Sequence, residues 1–164
     1  MDLKGTTICG VWRDGKCAIA GDGPSMLRLG PLMTKNFIQC LLCSCQRLGQ
    51  RAGVRNHRIC GGKVVSGFAG TVADAFALSN RFEEKMEQFG FNLERAAVEL
   101  AQEWRRDQAM RKLEAMMIVA DKSGMLIISG TGEVIAPDDG VCAIGSGGNY
   151  ALAAARALMR HTEM

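Results

Sequence analysis

The chain of 164 residues is predicted to form a single α+β domain in which helices pack on a mostly antiparallel sheet. Three observations lead to this prediction: hairpin signals join apolar runs, two amphipathic helical patterns follow one another, and an alanine-rich helix comes last. The composition agrees, because 48% of the residues are hydrophobic and 23% are charged, as in globular proteins.

The first predicted element is a β-hairpin. Two apolar runs flank the turn at Trp12–Gly15, and its Asp-Gly pair is a strong signal for a short hairpin connection. Periodicity is lost over residues 24–62, which we interpret as an atypical segment of the domain. A short strand is expected again at residues 63–70.

Two helices are predicted next, as an antiparallel pair on one sheet face. The first runs from residue 71 or 72 to 89, before the natural stop Gly90. Its apolar face comprises Val72, Ala75, Phe76, Phe82, Met86 and Phe89. Asn92 can cap the second helix, from Leu93 to about Lys112. The buried stripe of this helix comprises Ala96, Ala97, Leu100, Ala101 and Trp104.

Further strands and a last helix complete the domain. The strands are predicted at residues 115–120, 125–129, 133–136 and 141–144. The first of these is apolar on both sides, which is typical of a central strand. A helix is then expected from Asn149 or Tyr150 through Met159.

Charge and hydropathy exclude several classes of protein. A net charge of +3, with basic residues spread along the chain, argues against nucleic-acid binding. No apolar run is long enough for a bilayer span, so we expect no membrane segment. Met1–Gly5 lacks the apolar core of a secretory signal, so we expect no export.

The seven cysteines indicate a reducing compartment, since their number is odd and most have apolar neighbours. Cys40 and Cys43 have the spacing of half a zinc knuckle, with Cys45, His57 and Cys60 nearby. No second pair of ligands has the spacing that would complete such a site. We therefore expect no metal here.

The candidate for chemistry is Thr6, at the start of the first apolar run. If the bond between Gly5 and Thr6 is cut, this residue carries both a hydroxyl nucleophile and a free amine that can act as its base. The alternative is that Thr6 and Thr7 are β-branched residues that begin an ordinary strand.

Several blocks of sequence resemble the HslV (ClpQ) family, the peptidase subunits of bacterial two-component ATP-dependent proteases and relatives of the proteasome β subunits. The blocks are Gly5–Ile8, Ala18–Gly23, Gly67–Phe76, Arg95–Arg105, Arg111–Ala115, Pro137–Asp139, Ile144–Ala151 and Ala153–Leu158. They lie within residues 5–23 and 63–160, and their number and order make the resemblance specific.

The resemblance implies an N-terminal-nucleophile hydrolase, an α+β fold with a four-layer αββα sandwich. Residues 1–5 would be a propeptide that autoprocessing removes, and 6–164 the proteasome-like domain. The chain ends where the family continues, so a C-terminally truncated fold is expected. Residues that complete the family's monovalent-cation site fall beyond that end, so we assign no metal and no cofactor to this chain.

The function implied is that of a threonine-type endopeptidase subunit, which degrades unfolded polypeptides delivered by an HslU-type AAA+ ATPase. That partner hydrolyses the ATP. The assembly implied is a homo-oligomer, a dodecamer of two hexameric rings. The bacterial cytoplasm is the expected location, and the mitochondrial matrix is the alternative.

The resemblance also implies roles for five residues. Thr6 would be the nucleophile, Asp22 would orient its amine, and the Gly67 N–H would stabilise the oxyanion. Ser146 would relay hydrogen bonds near Thr6, and Arg55 falls where the family has an activating lysine. Without the resemblance, Asp22 is a turn residue, Gly67 the end of a strand and Ser146 a helix N-cap.

The position of the activating lysine is one departure from the family pattern, because arginine keeps the positive charge there but cannot accept a proton. Lys35 is the other candidate for the position, but its spacing from Asp22 does not match. The segment 24–62 and the early end of the chain are further departures. They give a second hypothesis, a catalytically impaired or purely structural subunit of such a ring.

Overall fold

A computed structural model describes residues 6–22, 56–70, 72–113 and 115–161, which fold into two antiparallel sheets and three helices. The strands are β1 (Thr7–Arg13), β2 (Lys16–Asp22), β3 (Asn56–Ile59), β4 (Val64–Ala69), β5 (Met116–Ala120), β6 (Met125–Ser129), β7 (Val134–Ile135) and β8 (Val141–Gly145). The helices are α1 (Val72–Gln88), α2 (Leu93–Arg106) and α3 (Gly148–His161).

The elements stack in four layers. One sheet has the strand order β2-β1-β8 and the other β3-β4-β5-β6-β7. Buried side chains such as Ile8 and Ile118 fill the space between the sheets. Trp104 and Met117 belong to the core between the larger sheet and α1 and α2, and Ala155 to the core between the smaller sheet and α3. The predicted α+β class and the αββα order are confirmed.

The first hairpin has the predicted turn. Asp14 and Gly15 both have positive φ angles, 53° and 74°, as a two-residue turn of the I′ type requires. This turn fixes the register, so that Arg13 pairs with Lys16 and Thr7 pairs with Asp22. The hairpin therefore brings the start of β1 beside the end of β2.

The predicted buried face of α1 is confirmed at Ala75, Phe82 and Met86, but it includes Leu78 and leaves out Phe76. Leu78 is fully buried, together with Ala75, Phe82 and Met86, at spacings of three and four residues. Phe76 was assigned to this face and is 46% exposed. Phe76 lies one position along from Ala75, about 100° around the helix, and this turns its ring out of the core.

Helix α2 begins where the sequence predicts. The Asn92 side chain accepts a hydrogen bond from the Arg95 N–H at 2.9 Å, which satisfies one of the first N–H groups of the helix. The predicted stripe is buried at all five positions, Ala96, Ala97, Leu100, Ala101 and Trp104.

The end of α2 was predicted too far along the chain. The helix ends at Arg106, and a short 3₁₀ turn over Met110–Lys112 follows. Asp107 leaves the helix in an extended conformation, and its carboxylate accepts the N–H groups of Ala109 and Met110. An aspartate that binds nearby backbone in this way competes with helix continuation.

Strand β3 lies inside the segment that was treated as atypical. It pairs with β4, and a 3₁₀ turn at Cys60–Gly62 joins the two strands. The Glu83 carboxylate of α1 accepts the Cys60 N–H at 2.6 Å, which ties this turn to the helix layer. A four-residue strand with polar positions is too short to show a reliable period.

Several predictions concern parts that lie outside the described residues. These are residues 1–5, Lys35, Cys40, Cys43, Cys45 and Arg55, and the side chains of Asp22, His57 and Val72. Of the helices that the structure describes, none has the length and apolar character of a membrane span.

Candidate active site

Thr6 lies immediately before β1, the middle strand of the three-stranded sheet. Its carbonyl oxygen accepts a hydrogen bond from the Ser146 N–H at 3.1 Å. Ser146 stands in the turn between β8 and α3, two residues before the first helical residue. The structure thus brings together two of the predicted site residues, which are 140 positions apart in the sequence.

Gly145 allows this contact. It is the last residue of β8, pairs with Thr7, and has a φ of 91°. A Cβ atom at this position would lie 1.7 Å from the Thr6 carbonyl oxygen. Glycine is required here both for the backbone conformation and for the close approach of the two chain segments.

Asp22 flanks the start of β1 on the other side. It is the last residue of β2 and pairs with Thr7, so its backbone lies one pair from Thr6. Asp22 ends the described part of this segment, and the residues that follow it lie outside those described. The β2 and β8 ends therefore enclose the start of β1 between them.

Strand alternation indicates which way Thr6 faces. Ile8 points into the core between the sheets, whereas Cys9 packs towards α3 with Ala155. Because successive side chains of a strand alternate, Thr6 belongs to the face of Ile8 and Thr7 to the face of Cys9. Thr6 is therefore on the side of its sheet that carries the second sheet.

Gly67 is buried in that second sheet. It lies within β4, where it pairs with Asn56 of β3 and Ile118 of β5. The interpretation of Gly67 as a strand end is therefore wrong. Gly70 is the residue that directly follows the end of β4. Strand β4 contacts β1 and β2 across the sandwich, so Gly67 is on a strand next to the Thr6 hairpin. Arg55 directly precedes Asn56 in sequence.

The sequence analysis missed the side-chain contact of Thr7. Its Oγ1 accepts the Gly147 N–H at 3.2 Å, at the start of α3. A Cβ at Gly147 would lie 2.4 Å from that oxygen. The signal was the run Gly145-Ser146-Gly147-Gly148, since clustered glycines indicate a close backbone approach. The N-cap interpretation requires Ser146 to adjoin the helix. Helix α3 begins after Gly147, so Gly147 and not Ser146 holds that position.

The cysteines near this site are poor nucleophiles. Burial raises the pKa of the Cys9 thiol to about 11. Burial, with a smaller contribution from Cys9, raises the pKa of the Cys142 thiol to about 12. Both thiols are protonated at neutral pH, and a thiol must lose its proton to attack. Among the residues that the structure describes, no cluster of three or more His, Cys, Asp or Glu side chains could hold a metal.

Comparisons with known proteins agree with this geometry. A sequence profile described as a proteasome subunit matches residues 48–164. The ATP-dependent protease subunit HslV of Listeria innocua is 53% identical over 161 residues, which cover 98% of this chain and 81% of that protein. The protein of the same name from Staphylococcus aureus is 54% identical over 159 residues, covering 97% and 79%.

The fold comparison gives the same result. The crystal structure of eukaryotic HslV from Trypanosoma brucei matches with a TM-score of 0.74 and 40% identity, over 96% of this chain and 82% of that one. The fold, the sequence profile and the similar proteins thus indicate the same protein family. The chain belongs to the proteasome family of peptidases and, within it, to the HslV subunits of ATP-dependent proteases.

Proposed function

We propose that this chain is a threonine-type endopeptidase subunit whose nucleophile is Thr6 after cleavage behind Gly5. The observation that supports this most directly is the hydrogen bond from the Ser146 N–H to the Thr6 carbonyl. It fixes the main chain of Thr6 next to a strand that is paired on both sides, and Thr6 itself lies just outside the ladder.

The proposed reaction needs only groups of this chain and water. The Thr6 Oγ1 attacks the carbonyl carbon of a peptide bond while the Thr6 amine takes the hydroxyl proton, directly or through a water. The tetrahedral oxyanion accepts a hydrogen bond from the Gly67 N–H. The C–N bond then breaks, the leaving amine takes a proton, and water hydrolyses the ester left on Thr6.

The remaining predicted residues would tune the amine. Asp22 would orient it and favour its charged form, Ser146 would link it to the surrounding hydrogen bonds, and Arg55 would supply positive charge near the hydroxyl. A positive charge favours the deprotonated hydroxyl and the neutral amine, so Asp22 and Arg55 would act in opposite directions on the amine. We place Arg55 here because it adjoins Asn56, the partner of Gly67.

We propose the partners that the family resemblance implies. The relatives are named as subunits of an ATP-dependent protease, and an ATPase of the HslU type would be the other component. The assembly would be a dodecamer of two hexameric rings that encloses the sites, and the substrates would be unfolded polypeptides. The bacterial cytoplasm would be its location.

The nucleophile is tested by intact mass together with a covalent probe for amino-terminal threonines. We expect loss of Met1–Gly5 and one probe adduct on Thr6. The Thr6→Ala variant should take up no probe and cleave no peptide. A Thr131→Ala variant, which changes an exposed threonine in another turn, is the matched control. Peptide cleavage by Thr6→Ala would refute the mechanism.

The role of Arg55 requires a second comparison. We expect Arg55→Met to lower turnover, because methionine removes the positive charge. Arg55→Lys keeps the charge and introduces a group that can accept a proton, so turnover should stay the same or rise. Unchanged turnover in Arg55→Met would remove Arg55 from the site. Failure of the wild-type chain to react with the probe after complete processing would favour the impaired-subunit alternative.

A further inference from the structure

Two successive residues at the start of β1, Thr6 just before the strand and Thr7 as its first residue, are held by two successive N–H groups of one loop. The Ser146 N–H donates to the Thr6 carbonyl at 3.1 Å, and the Gly147 N–H donates to the Thr7 Oγ1 at 3.2 Å. The first bond is between main-chain atoms and survives most substitutions. The second depends on the hydroxyl of one side chain, Thr7.

The Thr7 hydroxyl lies against the main chain of Gly147, which has no side chain. A Cβ at Gly147 would be 2.4 Å from Oγ1 and 3.3 Å from Cγ2, so the whole side chain occupies the space that glycine leaves. The Gly147 carbonyl accepts the Ala151 N–H at 3.0 Å, so Gly147 directly precedes α3 and accepts its first helical hydrogen bond. The first N–H groups of a helix have no partner within the helix, and Thr7 provides one from another element.

We infer that Thr7 is a positioning residue for Thr6, an inference that rests on the function proposed above. Its hydroxyl holds Gly147, and Gly147 is bonded covalently to Ser146, which in turn holds the Thr6 carbonyl. Loss of the hydroxyl removes this side-chain bond, while the Ser146 bond and the β1–β8 ladder remain. The loop can then shift, and Thr6 shifts with it.

The matched variants are Thr7→Val and Thr7→Ser. Valine keeps the branched shape and the Cγ2 contact but removes the acceptor, whereas serine keeps the acceptor and removes the methyl group. A displacement of about 1 Å at reacting atoms can cost on the order of 100-fold in rate. We expect Thr7→Val to lower kcat roughly 10- to 100-fold with KM changed less than about twofold, and Thr7→Ser to recover most of kcat.

Hydrogen exchange of the Gly147 amide is the second measurement, and it does not depend on catalysis. We expect Thr7→Val to speed this exchange by about tenfold or more, since the hydrogen bond that protects the amide is gone, while Thr7→Ser leaves it slow. Unchanged exchange in Thr7→Val, or a kcat within twofold of wild type, would overturn the inference. Peptide cleavage by Thr6→Ala would instead overturn the proposed function, whatever the exchange result.

Discussion

Replacing Gly145 with alanine should separate damage to the site from damage to the fold. The new Cβ would be 1.7 Å from the Thr6 carbonyl oxygen, whereas an ordinary contact needs about 3.5 Å, so loop or strand must move by roughly 1.5–2 Å. In addition, a φ of 91° strains any residue with a side chain, at a cost of about 1–3 kcal/mol.

Gly140→Ala is the matched control. Gly140 also has a positive φ, 68°. A Cβ at this position would be 2.3 Å from the Trp12 carbonyl oxygen, so each of the two substitutions creates a clash with main-chain atoms in or next to β1. Trp12 lies near the hairpin end of β1, whereas Thr6 lies at the other end. The two variants should therefore lose similar stability, about 1–3 kcal/mol each, and differ in activity.

The assay combines urea unfolding with kcat for a fluorogenic peptide, expressed per folded chain. We expect Gly145→Ala to lose on the order of 100-fold in kcat, because Thr6 is displaced by more than 1 Å. Gly140→Ala should stay within a few-fold of wild type. Equal losses in the two variants, or wild-type turnover in Gly145→Ala, would refute the reasoning that the Thr6–Gly145 contact sets the site.

Three further predictions concern stability and reactivity. Asn92→Ala should lower the free energy of unfolding by about 1 kcal/mol in urea, because the α2 N-cap bond is lost. Hydrogen bonds from Lys85 (Nζ–Oε2 2.8 Å) and Arg81 hold the pKa of the Glu103 carboxyl below its ordinary 4.5. Glu103→Gln should therefore lower the free energy of unfolding by about 1 kcal/mol at pH 7. This difference should disappear below pH 4.5, as acid protonates Glu103 in the wild-type protein. Iodoacetamide at neutral pH should leave the Cys142 thiol unmodified in the folded protein, since its pKa is about 12, and mass spectrometry should find it alkylated only after denaturation.

The features that the sequence predicted well are local ones. Asp14-Gly15 fixes its own turn and, with it, the register of the hairpin, so the proximity of Asp22 to the start of β1 follows by counting pairs outwards. The cap at Asn92 is equally local. The end of α2 was missed because the side chain of Asp107 decides it by binding two N–H groups, a choice that hydrophobic periodicity does not register.

The tertiary part of the site could not be derived from pattern alone. That Ser146 meets Thr6 depends on β8 pairing with β1 rather than with any other strand, over a separation of 140 residues. The family resemblance implied only that Ser146 lies near Thr6. The structure shows the pairing and the close approach that requires glycine at position 145. Whether Leu78 or Phe76 enters the core depended likewise on how α1 rotates against β4.

Thr6 and Thr7 face opposite sides of their sheet, so if Thr6 is the nucleophile as proposed, amino-terminal trimming must be accurate to a single bond. A chain shortened by one residue too many would still begin with threonine, but that residue faces the helix layer and its hydroxyl is already bonded to Gly147. Such molecules would be inert, although terminal sequencing would report threonine in the first cycle. Under the proposed mechanism, the specific activity of a preparation would depend on whether that first threonine is followed by a second.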